Sequence, residues 1–208
     1  MKNITVFASG RGSNFQTICE HSASGYIPGN VNLLVASKPD IGACGIAERF
    51  SVPVYVYAPK EFPSRQDADR ALLHALQEHD TDYIALAGWL KLISTDIVSA
   101  FPFRMVNIHP ALLPFFGGKG MYGHHVHEAV RKSGMQVSGA TVHFVNERYD
   151  EGHILLQRAV AISTTDTPDE IADRVLKIEH EIYPEALKLL LEDRVHVADN
   201  RVILEPAE

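Results

Sequence analysis

Short apolar runs rich in β-branched residues alternate along the chain with longer runs in which apolar positions recur every three or four residues. ITVFAS (4–9), VNLLVAS (31–37), VPVYVY (52–57), DYIALAG (82–88) and FRMVNI (103–108) read as strands. Several are apolar almost throughout, as strands covered on both faces of a parallel sheet are. Helices are expected between them over 14–23, 40–50, 64–79 and 94–100. The third has the clearest start, Ser64 with Asp67 as a capping box, followed by a stripe of Ala68, Ala71, Leu72, Ala75 and Leu76. After residue 110 come a glycine-rich loop, a short helix near 125–133 and two strand candidates, SGATVHFV (138–145) and HILLQRAVAI (153–162). A long helix follows, with Thr167 as N-cap, Pro168 at the first position and Glu170 closing a second capping box. Ile171, Val175, Ile178 and Ile182 recur at its helical spacing, and Pro184 is expected to kink or divide it.

Repeated strand-helix-strand units imply right-handed crossovers. The fold expected is α/β, a doubly wound, mostly parallel sheet with a Rossmann-like N-terminal half. Functional loops then stand at the carboxyl ends of the strands. No linker, repeat or low-complexity tract interrupts the chain, so one domain of 208 residues is expected, with halves of about 1–100 and 101–208.

Composition narrows what such a domain does. With 46% hydrophobic residues it buries a sizeable core, and a formal charge of −7 disfavours a surface made to hold polyanions, so no nucleic-acid partner is expected. Two cysteines without a CxxC fit a reducing compartment. No run approaches the roughly 18–20 apolar residues of a membrane span, and the N-terminal apolar run is too short for a signal peptide. A soluble, cytoplasmic protein is expected.

Two stretches carry chemistry. SGRGSNFQ (9–16) leaves the first strand and opens a helix, so Gly10 and Gly12 let backbone N–H groups approach an anion, and the helix terminus adds a favourable field. It is no dinucleotide fingerprint, since Phe15 stands where the third glycine belongs, and it lacks the GK[ST] of a P-loop. The second stretch is MVNIHPALLP (105–114). Met105, Asn107 and His109 alternate onto one face, and Pro110 ends the strand, so an amide and an imidazole stand at a carboxyl edge where ligands bind. Burying such groups without partners is costly. TVHFVNERYDEG offers a partner in Asp150, a loop carboxylate that would favour the charged imidazole. Asn, His and Asp together make a plausible set for acyl transfer: an oxyanion donor, a proton carrier and a group that tunes it.

SGRGSN, LAGWLKLIS, NIHPALLP, VHFVNERYDEGHILLQ and IEHEIYP (178–184) stand in the order found in the folate-dependent formyltransferases. Over about residues 2–195 the chain resembles the phosphoribosylglycinamide formyltransferase branch. The resemblance implies a formyltransferase fold and transfer of formyl from 10-formyltetrahydrofolate to the amine of glycinamide ribonucleotide in purine biosynthesis, with no metal. It implies Asn107, His109 and Asp150 as the catalytic trio, and Gly12, Ser13, Asn14 and Glu179 on the ribonucleotide. It places Arg65, the segment Leu90, Lys91, Leu92 and Ile93, and the loop Asn146, Glu147, Arg148, Tyr149 and Asp150 on the folate side, together with Asn107. Small-molecule partners and a monomer or homodimer follow. Formyltetrahydrofolate deformylase, or another folate-dependent formyltransferase, is the alternative.

Three departures from the branch stand out. Ala111 replaces a frequent serine, Leu90-Lys91 stands where Met-Arg is usual, and PFFGGKGMYGHHVHE is longer and richer in glycine. A lysine lacks the planar fork of arginine. GHHVHE (123–128) invites a metal reading, but without a converging carboxylate or distant ligand its histidines read as surface or capping groups. Cys19 and Cys44 read as small core residues rather than nucleophiles. Trp89 reads on its own either as core or as a wall for a flat pterin, and the resemblance favours the pterin wall.

Overall fold

The structure, a computed structural model, describes residues 1–199 and 201–206. In chain order it contains β1 (Lys2–Ala8), α1 (Ser13–Ala23), β2 (Gly29–Ala36), α2 (Gly42–Arg49), β3 (Val54–Val56), a 3-10 turn (Pro59–Glu61), α3 (Arg65–Glu78), β4 (Tyr83–Leu86), α4 (Thr95–Ala100) and β5 (Met105–His109). There follow α5 (His124–Ser133), β6 (Val137–Phe144), β7 (Ile154–Ala161), α6 (Pro168–Leu191), β8 (Val195–Ala198) and β9 (Arg201–Leu204). The fold is α/β, with a seven-stranded, mostly parallel sheet in the order β3-β2-β1-β4-β5-β6-β7. The chain groups into two compact units, Met1–Val106 and Asn107–Glu208.

In the first unit, β1 pairs in parallel with β2 on one side and β4 on the other, and β2 pairs in parallel with β3. Ile4, Val6, Phe7 and Ala8 of β1 and Leu34, Val35 and Ala36 of β2 are completely buried, which is why these runs are apolar without alternation. Chain order reverses about β1, so the loops leaving β1 and β4 flank the kind of crevice in which open α/β sheets bind ligands. α3 starts where its grammar predicts: the Ser64 hydroxyl accepts the Asp67 N–H, and Ala68, Leu72, Ala75 and Leu76 are buried.

In the second unit, β6 and β7 form an antiparallel pair, and α6 opens with both hydrogen bonds of the Thr167/Glu170 capping box. Two features of α6 bear on what was expected of it: Pro184 does not divide it, and its buried stripe differs at one position. It runs unbroken through Pro184, whose ring costs one intrahelical bond while Ala186, Leu187, Leu189 and Leu190 beyond it are buried and hold the last turns in place. Its buried stripe is Ile171, Val175, Glu179 and Ile182, with Ile178 only half-buried, so a carboxylate occupies a core position. The hairpin β8/β9 was not foreseen, because strands of four residues flanked by Arg194 and Asp199 are too short to establish a period. Among the described residues no helix is long and apolar enough to cross a membrane.

Candidate active site

β5 extends to His109, one residue beyond the expected run, and the alternation holds: Asn107 is half-buried and His109 is 3% exposed. Asp150 meets them from the loop after β6. Its backbone is left-handed (φ 57), and Gly152, where a Cβ would lie 1.7 Å from the Phe144 carbonyl oxygen, lets that loop turn tightly against the strand.

One Asp150 oxygen, Oδ2, lies 3.6 Å from His109 Nδ1 and accepts the Gly118 N–H at 2.9 Å. The other, Oδ1, lies 3.5 Å from Nε2 of His143, a residue of β6 that is 2% exposed. The Asn107 amide meets the same His143 nitrogen at 3.1 Å, and His143 Nδ1 donates to the Phe144 carbonyl at 2.8 Å. His109 Nε2 is 2.9 Å from the carbonyl oxygen of Phe116, itself left-handed (φ 54). Both His109 nitrogens therefore face acceptors, a setting that suits a ring protonated twice.

Burial holds the His109 pKa below its ordinary value, and the Asp150 carboxylate and the Phe116 carbonyl push it back up. Burial would raise the Asp150 carboxyl, but the adjoining His143 ring, the His109 charge and the Gly118 N–H hold it below the usual carboxylate range. Asp150 thus stays ionised beside a ring whose charge it favours.

The turn after β5 is held from beneath. Thr141 Oγ1 donates to the Ala111 carbonyl at 2.7 Å and accepts the Leu113 N–H at 3.1 Å. Gln157 Nε2 donates both to Thr141 Oγ1 at 2.9 Å and to the Leu113 carbonyl at 2.7 Å. Every backbone group of HPALLP that these side chains reach is thereby satisfied in a buried place.

In the first unit, Gly12 is the residue before α1, with φ 85 and room for no Cβ, since one would lie 2.8 Å from Ala43. No side chain caps α1, whose first turn begins at exposed Ser13 and buried Asn14. The loop after β4 approaches the same turn: the Leu90 N–H donates to Ser9 Oγ at 3.2 Å. Arg65 donates to the Leu92 carbonyl, joining α3 to that loop, and Leu90 and Leu92 are exposed while Ile93 is buried. Lys91 turns inward. Its ammonium donates to the carbonyls of Tyr57 (2.9 Å) and Ser37 (3.2 Å) and lies 5.1 Å and 5.7 Å from the ring centres of Tyr57 and Trp89. Burial, then the charges of Arg65, Lys38 and Lys60, lower its pKa. Trp89, expected as a pterin wall, packs edge-on against buried Phe7 at 5.1 Å, on the core side of the loop.

The formyl transferase family profile matches residues 2–187. The chain belongs to the formyl transferase family. It is 47% identical over 204 residues to the chloroplastic phosphoribosylglycinamide formyltransferase of Arabidopsis thaliana, which covers 98% of this chain and 70% of that protein. It is 38% identical over 191 residues to the phosphoribosylglycinamide formyltransferase of Bacillus subtilis (strain 168), covering 92% and 95%. The crystal structure of glycinamide ribonucleotide transformylase 1 from Symbiobacterium toebii superposes with a TM-score of 0.92 at 38% identity, covering 98% of this chain and 94% of that one.

For this member of the family, the structure brings Asn107, His109 and Asp150 together in one unit, and groups Gly12, Ser13 and Asn14 near the Leu90–Ile93 segment and Arg65 in the other. In the Asn146–Asp150 loop, Asn146 Oδ1 accepts the Arg148 N–H, Arg148 pairs with Glu151, and Glu147, Arg148 and Tyr149 are exposed. Glu179 is buried on α6 one turn before Tyr183. Sequence reasoning missed His143, Thr141 and Gln157. The first two were legible in ATVHFV, where polar residues alternate into an apolar strand as they do in MVNIH. His124 is held by Glu128 and Asp169, both at 3.4 Å, and no group of three or more His, Cys, Asp or Glu among the described residues is placed to hold a metal ion.

Proposed function

We propose that this chain transfers a formyl group from 10-formyltetrahydrofolate to the amine of glycinamide ribonucleotide, a step of purine biosynthesis, by direct attack at Asn107, His109 and Asp150. The observation that carries the mechanism is the buried Asp150 carboxylate 3.6 Å from His109 Nδ1, beside an amide on the same strand face. The names of the relatives support the substrates.

In this mechanism the substrate amine attacks the formyl carbon, forming the new C–N bond, and the carbonyl oxygen becomes an oxyanion. Asn107 Nδ2–H and His109 Nε2–H donate to it, the latter in exchange for the Phe116 carbonyl that it meets now. Asp150 favours the charged form of His109 against burial. Collapse breaks the bond to the folate nitrogen, and the proton lost by the amine passes through the His109–Asp150 pair and water to that nitrogen. The turn at Gly12, Ser13 and Asn14 takes the substrate's phosphate, with Glu179 on its ribonucleotide. Arg65, Leu90–Ile93 and Asn146–Asp150 take the folate; exposed Leu90 and Leu92 give it apolar contact, while inward-turned Lys91 supports that segment.

Formyl transfer to glycinamide ribonucleotide, measured beside hydrolysis of the same donor in water, tests the reaction. Asn107→Ala is expected to lower kcat about 10²–10³-fold, about 2.7–4 kcal/mol in the barrier. Hydrolysis without transfer would overturn the proposed acceptor, and a parent-like Asn107→Ala would overturn the proposed oxyanion site.

A further inference from the structure

We infer that His143 is a positioning residue that fixes which end of the Asn107 amide meets the reacting carbonyl; this rests on the catalytic reading above. An asparagine side chain is nearly symmetric in shape, so its oxygen and nitrogen exchange places at little steric cost and only its partners decide between them. For Asn107 to donate to an oxyanion, the choice has to be fixed before substrate arrives.

The hydrogen bonds of His143 fix it. Its Nδ1 lies 2.8 Å from the Phe144 carbonyl, which can only accept, so Nδ1 carries the ring's hydrogen. Nε2 faces two groups. The Asn107 amide nitrogen, at 3.1 Å, is the nearer, and Asp150 Oδ1 stands at 3.5 Å. With the ring's hydrogen on Nδ1, Nε2 is the acceptor, and one Asn107 N–H is committed to it. The second N–H is left to donate, and the amide oxygen turns away.

The proton arrangement matters because the alternative undoes both neighbours. A hydrogen on Nε2 would turn the amide oxygen of Asn107 inward and draw Asp150 away from His109. Asp150 and His109 are the titratable groups that act on His143 here. The strand itself maintains the arrangement: β6 presents His143 inward with 2% of its surface exposed, and the carbonyl that holds Nδ1 belongs to the next residue. Asn107 and His143 lie 36 positions apart, and each alone looks like an isolated polar residue in an apolar strand.

Long-range 1H–15N correlation spectra of the histidine-labelled protein at neutral pH are expected to show the His143 hydrogen on Nδ1 and none on Nε2. A hydrogen on Nε2 overturns the inference. His143→Met keeps the bulk and removes the acceptor; kcat is expected to fall about 10²-fold, approaching Asn107→Ala, with both KM values within about threefold. His143→Gln returns an amide oxygen near the position of Nε2 and is expected to recover about tenfold of that loss. In the Asn107→Ala background His143→Met should cost less than about threefold more, since the two act through one interaction. A full additional loss in that background overturns the role assigned to His143. A parent-like His143→Met beside an impaired Asn107→Ala overturns the positioning role alone, whereas a parent-like Asn107→Ala overturns the catalytic reading itself.

Discussion

Replacing Asp150 with asparagine removes one charge and almost no volume. The new side chain keeps an oxygen for the Gly118 N–H that Asp150 Oδ2 accepts at 2.9 Å, so the loop retains its anchor. What disappears is attraction to a charged His109 at 3.6 Å, about 4–5 kcal/mol at an effective dielectric of about 20. The Asp150 side chain is 11% exposed, so water screens part of this, and the expected loss in kcat at neutral pH is about 10²–10³-fold. The pH dependence gives the sharper test. Asp150 raises the His109 pKa against burial, so its removal lowers that pKa and confines the charged ring to more acid solution. The ratio of variant to parent turnover should therefore rise as pH falls from about 8.5 to 5.5, and the ratio cancels titration of the substrate amine. Steady-state formyl-transfer rates across that range, with folding checked by circular dichroism, supply the measurement. A variant within about tenfold of the parent at neutral pH, or a ratio flat in pH, refutes the role of the carboxylate.

Three further outcomes concern stability. Burial, then the charges of His124 and His109, lower the His127 pKa to about 4, below its ordinary 6.5, so the unfolded chain binds the proton first as pH falls. Stability from this group is lost between about pH 6.5 and 4, amounting to about 3 kcal/mol, and His127→Leu should flatten the acid limb of a denaturation-midpoint profile; an unchanged limb counts against it. Gly152→Ala places a Cβ 1.7 Å from the Phe144 carbonyl oxygen, so a loss of about 1–3 kcal/mol is expected by chemical denaturation, with kcat falling more than KM because Asp150 is two residues away. Thr167→Ala removes one half of the α6 capping box and should cost about 1 kcal/mol in thermal unfolding; no change would mean that Glu170 holds the helix start alone.

How far the sequence reaches depends on whether a feature is local. The start of α6 needs four residues, and all of them are in view; the same is true of Ser64 and Asp67 at α3. The alternation of MVNIH is local too, which is why Asn107 and His109 stand out. Glu179 escaped as a core position because Ile178 next to it satisfies the same hydrophobic period, and only packing decides which of the two faces inward. Lys91 escaped for a related reason: a long cation reads as a solvent-facing ligand group, whereas the carbonyls of Ser37 and Tyr57 and two aromatic rings draw it back against the sheet. The Phe116 carbonyl lies furthest from view, because no side-chain type announces where a backbone oxygen in a glycine-rich loop comes to rest.

That carbonyl clarifies the logic of the proposed site. A buried imidazolium is costly unless both nitrogens have acceptors, and before substrate binds Asp150 and Phe116 supply them. Once the ring is charged, the reaction requires that one neutral acceptor give way to a stronger one. A carbonyl dipole holds the Nε2 hydrogen less strongly than a developing oxyanion does, so the exchange favours the transition state over the formyl ground state, whose oxygen is itself only a carbonyl. His143 does for Asn107 what Asp150 does for His109: each keeps a donor aimed by occupying its other hydrogen-bonding atom. The two donors differ in how they are released. The spare Asn107 N–H is left to donate, while the His109 N–H is covered by the carbonyl of left-handed Phe116, whose loop the Gly118 N–H ties to Asp150.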